Sequence, residues 1–246
     1  MNYFFKNMYK NVAILGASSS IAQAIINQIH ADYPDANIFA LSRKVLAVSN
    51  EKIKYFSINY DDEFSIEKAA NLSSQHGPFD LIFVANGILH DESTKPEKSI
   101  RDFSIANFEK VFKVNTILPA MMAKYFVPKL NKDERSVFAV LSARVGSISD
   151  NKLGGWYAYR ASKSALNMII KNLAIETNRL NKQAIILSLH PGTVDSPLSK
   201  PFQKGIAQEK IFSPEVAAIK LLSAIKKSSV NDTGSFIAWD EKKITP

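Results

Sequence analysis

The chain is expected to fold as one α/β domain over residues 1–246, a doubly wound parallel sheet of seven strands with helices on both faces. Three observations predict this. Short apolar runs alternate with longer amphipathic stretches, the pattern of repeated strand–helix units. The apolar runs are nearly continuous rather than alternating, as for strands covered on both faces. A length of 246 residues, 46% hydrophobic and without a break in composition, suits a single large core.

Taken in order, the strands read VAILG (12–16), NIFALS (37–42), IKYFSI (53–58), DLIFVAN (80–86), SVFAVLS (136–142), AIILSLHP (184–191) and SFIAWD (235–240). Amphipathic helical patterns fall between them near residues 20–31, 62–75, 104–130, 156–181 and 214–227. Sheets of this kind bind ligands outside the carboxyl ends of their strands. Those ends read GASSSIA, SRK, ANGILH, LSARVGS and HPGTVDSP, all short and rich in small or polar residues.

Composition narrows the function classes. There is no cysteine, hence no disulfide framework and no thiolate metal site, which suits a reducing compartment and makes the cytoplasm the expected location. No stretch approaches the roughly 18–20 apolar residues that span a bilayer. The net charge of +8 is spread over short lysine clusters without interleaved aromatics, so solvated surface is favoured over nucleic-acid binding. The four histidines, His30, His76, His90 and His190, lack metal-ligand spacing, and no metal is expected.

Gly16 follows the first strand directly, and a helix opens near Ser20. Such a turn brings backbone N–H groups and a helix N-terminus up to a pyrophosphate, and Ser18, Ser19 and Ser20 add hydroxyls, with Ile21 next in the helix. The plainer alternative is a strand–turn–helix with a serine cap. At the end of the second strand, where an NAD-preferring protein tends to place a carboxylate, stand Ser42, Arg43 and Lys44. An Arg43 guanidinium there pairs with a 2′-phosphate, which favours NADP(H) over NAD(H); the alternative is a solvated loop charge.

Tyr159 and Lys163 sit four residues apart at the start of a long helical pattern, one above the other on a face, whereas Tyr157 does not share that face. With the Gly16 loop, VANG after the fourth strand and HPGTVDSP after the sixth, the chain resembles the short-chain dehydrogenase/reductases, a family of Rossmann-type fold. The stretch SARVGSISDNKLGGWYAYRASKSALN (142–167) looks like the C-factor-like and sniffer-type carbonyl reductases within it.

The resemblance implies an oxidoreductase moving a hydride between NADP(H) and a small or medium carbonyl or alcohol. Tyr159 is implied as proton donor, Lys163 as its tuner and a ribose ligand, and Asn115 as holder of a water in the proton path. Asn86, Gly87, Asn59, Pro191, Gly192, Thr193 and Val194 are implied as cofactor contacts. Three positions depart from the family pattern. Of the usual three glycines only Gly16 remains, with Ser20 and Ala22 in the other slots; Asn59 replaces an aspartate; and the catalytic serine slot in strict register is Ala143. Ser142 and Ser147 are the available substitutes, and Ser142 is preferred. Lys163 is expected to draw the Tyr159 phenol toward working pH. A homodimer or homotetramer is expected, because NMIIKNLAIETNRL is more apolar than one sheet face requires. The competing expectation, motivated by Ala143 and the thinned glycine motif, is a nucleotide-binding signalling or interaction protein of the same fold with weak or lost turnover.

Overall fold

A computed structural model of the chain describes residues 8–43 and 51–246, so Lys44 lies outside the described residues. Strands β1 (Asn11–Leu15), β2 (Asn37–Ser42), β3 (Ile53–Ser57), β4 (Leu81–Val84), β5 (Ser136–Leu141) and β6 (Ala184–His190) fall on the expected runs. A short β7 (Thr193–Val194) pairs with β8 (Ile211–Phe212) in a separate two-stranded sheet, and β9 (Phe236–Ala238) closes the main one. The main sheet has seven strands in the order β3-β2-β1-β4-β5-β6-β9, all pairs parallel. The order reverses between β1 and β4, so their connections leave toward opposite faces and a crevice opens above their carboxyl ends.

Two apolar layers account for the near-continuous hydrophobic strands. On β1, Val12 and Ile14 join the layer under α1 (Ser20–Asp32) and α6 (Pro214–Lys227), while Ala13 and Leu15 join the opposite one. That opposite layer packs against α2 (Glu63–Ser73), α4 (Leu118–Phe126) and α5 (Tyr157–Leu180). Period-2 alternation of side chains thus serves both faces at once, and every residue of β1, β4 and β5 is buried.

Helix starts follow local chemistry. Ser19 caps α1 by accepting from the Ala22 N–H at 3.2 Å, Asp62 caps α2, and Ser213 caps α6 with Pro214 in its first turn. Each such cap is worth about 1 kcal/mol. The single helical pattern at 104–130 resolves into α3 (Ile105–Phe112), a π-helical turn over Lys113–Ile117, α4, and a closing 3-10 turn at Val127–Lys129. Proline explains the widening. Pro119 has no N–H to give the Asn115 carbonyl four residues back, and its ring crowds that carbonyl in a regular α-helix.

Candidate functional site

The carboxyl ends of β1, β4, β5 and β6, the first turn of α5 and the segment 196–206 enclose a cavity of about 410 Å³. Of the residues anticipated from sequence, Ser18, Ser19, Ser20, Ile21, Asn86, Gly87, Ser142, Tyr159, Lys163 and Pro191 to Val194 line it. Ser42, Arg43 and Asn59 lie outside its walls. Ser42 is buried at the end of β2 opposite Ser57, and Arg43 is exposed just beyond it. Asn59 is exposed, its side chain accepting from the Asp61 N–H at 3.0 Å.

Gly16 is needed at its position. Its φ is +77°, and a Cβ there would lie 2.9 Å from Asn86 Oδ1 and 3.1 Å from the Ala85 carbonyl carbon. The turn is held by the Gly16 and Ala17 N–H groups, which both donate to the Leu41 carbonyl at 2.9 and 3.0 Å. This brings the start of α1, with its positive dipole end, to the cavity.

Lys163 is 3% exposed, and its Nζ donates to the Leu141 carbonyl at 2.9 Å. Its Nζ stands 5.9 Å from the centre of the Tyr159 ring. Burial pushes the lysine down to about 8 and the Tyr159 phenol up to about 12. This differs from the expectation that the ammonium would lower the phenol. Both groups are dehydrated together, and removing water from a phenolate outweighs the attraction of a lysine whose own charge is disfavoured. Gly146 permits the approach of α5 to the end of β5: a Cβ on it would lie 2.7 Å from Lys163 Cβ.

Asn115 is fully buried in the π-turn, and its amide is committed to structure. It accepts from the Ile88 N–H at 2.8 Å and donates to the Ile88 carbonyl at 2.9 Å and to Ser162 Oγ at 3.1 Å. Ser162 Oγ in turn donates to the Tyr159 carbonyl at 2.8 Å. The amide therefore ties the β4 connection to the helix bearing Tyr159. A methyl group on Gly87 would lie 3.7 Å from both Asn115 Oδ1 and Lys163 Nζ, so the three meet at one point.

The two candidate serines separate clearly. Ser147 Oγ donates to the Thr245 carbonyl and accepts from the Asp150 N–H at 3.1 Å, so it is occupied away from the cavity. Ser142 Oγ is buried on the cavity wall and meets no hydrogen-bond partner among the described residues. Tyr157 packs edge-on against Phe103 at 4.8 Å outside the cavity. Trp156, by contrast, is a wall, edge-on to both Tyr159 (6.2 Å) and Phe202 (5.0 Å).

The segment after the sixth strand reads as a loop that can cover the cavity, but its individual wall residues carry no signal of their own. Trp156, Leu198, Phe202 and Ile206 form the apolar side, and no spacing marks them. His90 is half-buried; its Nε2 lies 3.1 and 3.2 Å from the Pro197 and Leu198 carbonyls, so it carries the proton and ties the 196–206 segment down. The Tyr60 phenol, next to Asn59 in sequence, is pushed up by its burial, with Asn86, the Gly16 backbone and the Arg43 charge opposing the shift. Among the described residues no group of acidic or histidine side chains could hold a metal, and no helix is long and apolar enough to cross a membrane.

His190, at the end of β6, is pushed down to about 4 by burial and by the neighbouring Arg144 charge, so it stays neutral and its Nδ1 accepts from the Arg144 N–H at 3.3 Å. An unfolded histidine holds its ordinary value near 6.5, so between about pH 4 and 6.5 the unfolded chain binds more protons than the folded one. His190 therefore contributes stability that is full above about 6.5 and lost as pH falls toward 4. Urea midpoints followed from pH 7 to 4 should fall less steeply in His190→Asn than in the parent chain; equal slopes would rule the histidine out.

A model of the family described as short chain dehydrogenase matches residues 10–207. A 1-hydroxy-2-glutathionyl-2-methyl-3-butene dehydrogenase from Rhodococcus sp. (strain AD45) is 29% identical over 228 residues, 92% of this chain and 94% of that protein. Among solved structures, the carbonyl reductase Sniffer of D. melanogaster superposes with a TM-score of 0.83 at 20% identity, covering 96% of this chain and 99% of that one. An NADPH-bound carbonyl reductase from chicken fatty liver also reaches 0.83 at 20% identity, over 98% and 97% of the two chains. The family match spans most of the chain and agrees with the sheet order and with Tyr159 and Lys163 on one cavity wall: the protein belongs to the short-chain dehydrogenase family.

Proposed function

We propose that the protein is an NADP(H)-dependent oxidoreductase that interconverts a small or medium carbonyl compound and its alcohol, with Tyr159 as the proton-transferring group. The observation that carries this is the shared cavity wall on which the Tyr159 phenol, the buried Lys163 ammonium and the unpartnered Ser142 hydroxyl converge. The residues present fit a nicotinamide dinucleotide: α1 opens on the cavity behind a glycine turn, and the buried Asn86 Oδ1 on the same wall has no hydrogen-bond partner among the described residues. NADP(H) would supply or accept the hydride. Ser18 to Ile21 would meet its pyrophosphate, Pro191 to Val194 and Lys163 its nicotinamide half, and Asn59 its adenine. The carbonyl reductase titles among the structural relatives support the same reading.

The chain's own groups account for the proton. A carbonyl oxygen receiving a hydride develops negative charge and needs a donor aimed at it. With its phenol pushed up to about 12, Tyr159 stays protonated at neutral pH and serves as that donor in reduction. Lys163, pushed down to about 8, is still mainly charged at neutral pH and stabilises the phenolate left behind. Asn115 holds the β4 connection, and its carbonyl, which Pro119 leaves without the usual helical donor, is the acceptor for a water passing protons toward Lys163. Retention of all three groups in one place argues against a nucleotide-binding protein without turnover.

Cofactor choice rests on Arg43 beside the Ser42 end of β2, with no carboxylate in that position. Arg43→Ala is expected to weaken NADPH about 10-fold, the loss of one charge-assisted hydrogen bond of about 1.5 kcal/mol, and to leave NADH nearly unchanged. Fluorescence titration with both nucleotides measures this, and an equal loss for the two would remove Arg43 from the 2′-phosphate. A panel of aldehydes and ketones followed by NADPH oxidation tests the reaction class; tight NADPH binding with no turnover across it would defeat the proposal. Exposed Met168, Ile175 and Leu180 on α5, with Ile117 beside α4, support pairing into a homodimer or homotetramer.

A further inference from the structure

We infer that Glu97 is a positioning residue: a buried carboxylate that clamps the first turn of α5 to α3 and so sets where Tyr159 stands in the cavity. The inference rests on the reading of Tyr159 as proton donor.

The start of α5 is unusual. The chain enters it through three successive left-handed residues, Gly154 (φ +65°), Gly155 (φ +65°) and Trp156 (φ +50°). Glycine adopts this region freely, but for tryptophan it costs about 1–2 kcal/mol, so something outside the turn must hold it. Nor does Trp156, the cap residue, have a side chain that can satisfy the free N–H groups of the helix, and none is seen doing so. The long helix that carries both proposed catalytic groups thus begins without the serine or aspartate that begins α1, α2 and α6.

Glu97 supplies what is missing. It is 2% exposed and lies between β4 and α3. Its main-chain carbonyl accepts from the Trp156 N–H at 2.5 Å, which fixes the left-handed residue. Its Oε2 accepts from the Ala158 N–H at 3.1 Å, in the turn next to Tyr159, and its Oε1 accepts from Asn107 Nδ2 on α3. A negative charge at a helix N-terminus is stabilising there, by up to about 2 kcal/mol when partly buried. Asn107 belongs to the helical run that leads to Asn115, so a single carboxylate joins the two helices on which the proposed catalytic groups sit. Trp156, pinned by the same residue, stands edge-on to Tyr159 and lines the cavity.

The test compares Glu97→Ala, Glu97→Gln and Asn107→Ala for melting temperature, NADPH dissociation constant, kcat and KM. Glutamine keeps an acceptor for Ala158, and its amide can donate to Asn107 Oδ1, which has no hydrogen-bond partner among the described residues. In Glu97→Ala, assayed where it is folded, kcat should fall about 10- to 100-fold, as for a reacting group displaced by about 1 Å, with NADPH affinity unchanged. Glu97→Gln should regain most of that loss. A folded Glu97→Ala with parental kcat overturns the inference, and so does a glutamine variant as slow as the alanine one. Should Glu97→Ala not fold, Asn107→Ala decides: a kcat lowered at near-parental melting temperature supports the clamp, and an unchanged kcat overturns it. Amide exchange over residues 156–161 is independent of turnover. If the parent chain reduces no carbonyl, the catalytic reading fails, while exchange faster in Glu97→Ala or Asn107→Ala than in Glu97→Gln still reports the clamp; identical exchange in all would dismiss it.

Discussion

Tyr159→Phe is expected to lose nearly all carbonyl reduction while binding NADPH as the parent does, and Tyr157→Phe to keep most activity. The two substitutions remove the same atom two residues apart. At 159 that atom is on the cavity wall, and burial keeps it protonated to about pH 12, so the donor for the developing alkoxide goes with it. General acid catalysis is worth about 10²–10⁴-fold, and that is the loss expected in kcat. The phenyl ring retains the edge-on contact with Trp156, so the fold and the nucleotide half of the cavity stay intact. At 157 the side chain is 38% exposed and rests on Phe103, where a phenyl ring packs equally well. Initial rates with a carbonyl substrate, read beside a fluorescence titration with NADPH, decide it. Comparable loss in both variants would remove Tyr159 from its role.

The parts of the fold that were legible are those with a repeated physical signal. Runs such as VAILG and SVFAVLS are apolar on both pleat faces because two helical layers cover the sheet, and that pattern survives without any partner in view. The β7–β8 pair was missed because two residues per strand carry no period. The π-turn at Lys113–Ile117 was hidden inside a helical pattern, although Pro119 was its visible cause. In the site, the four-residue interval from Tyr159 to Lys163 was readable because helix geometry alone stacks such a pair. Glu97 was not: it meets Ala158 across 61 residues of chain, and a lone glutamate in a polar segment looks like any solvated charge. The direction of the Tyr159 shift is hidden in the sequence for a related reason. A sequence displays the neighbouring charge but not the depth at which both groups are buried.

Burial also bears on the departure at Ala143. Ser142→Ala is expected to lower kcat by about 10²–10³-fold, the cost of removing one oxyanion donor. Hydrogen bonding separates the two candidate serines. Ser147 has its hydroxyl spent on the Thr245 carbonyl and the Asp150 N–H. Ser142 has its Oγ buried on the cavity wall, with no partner among the described residues. A buried hydroxyl without a partner costs about 1–3 kcal/mol, a cost recovered when a substrate oxygen accepts its proton. Ala143 lines the same cavity, so the position one residue on can also present a hydroxyl. Ser142→Ala combined with Ala143→Ser should therefore recover part of the lost rate. Parental kcat in Ser142→Ala would mean that Tyr159 alone serves the carbonyl oxygen and that the serine is retained for packing at the end of β5.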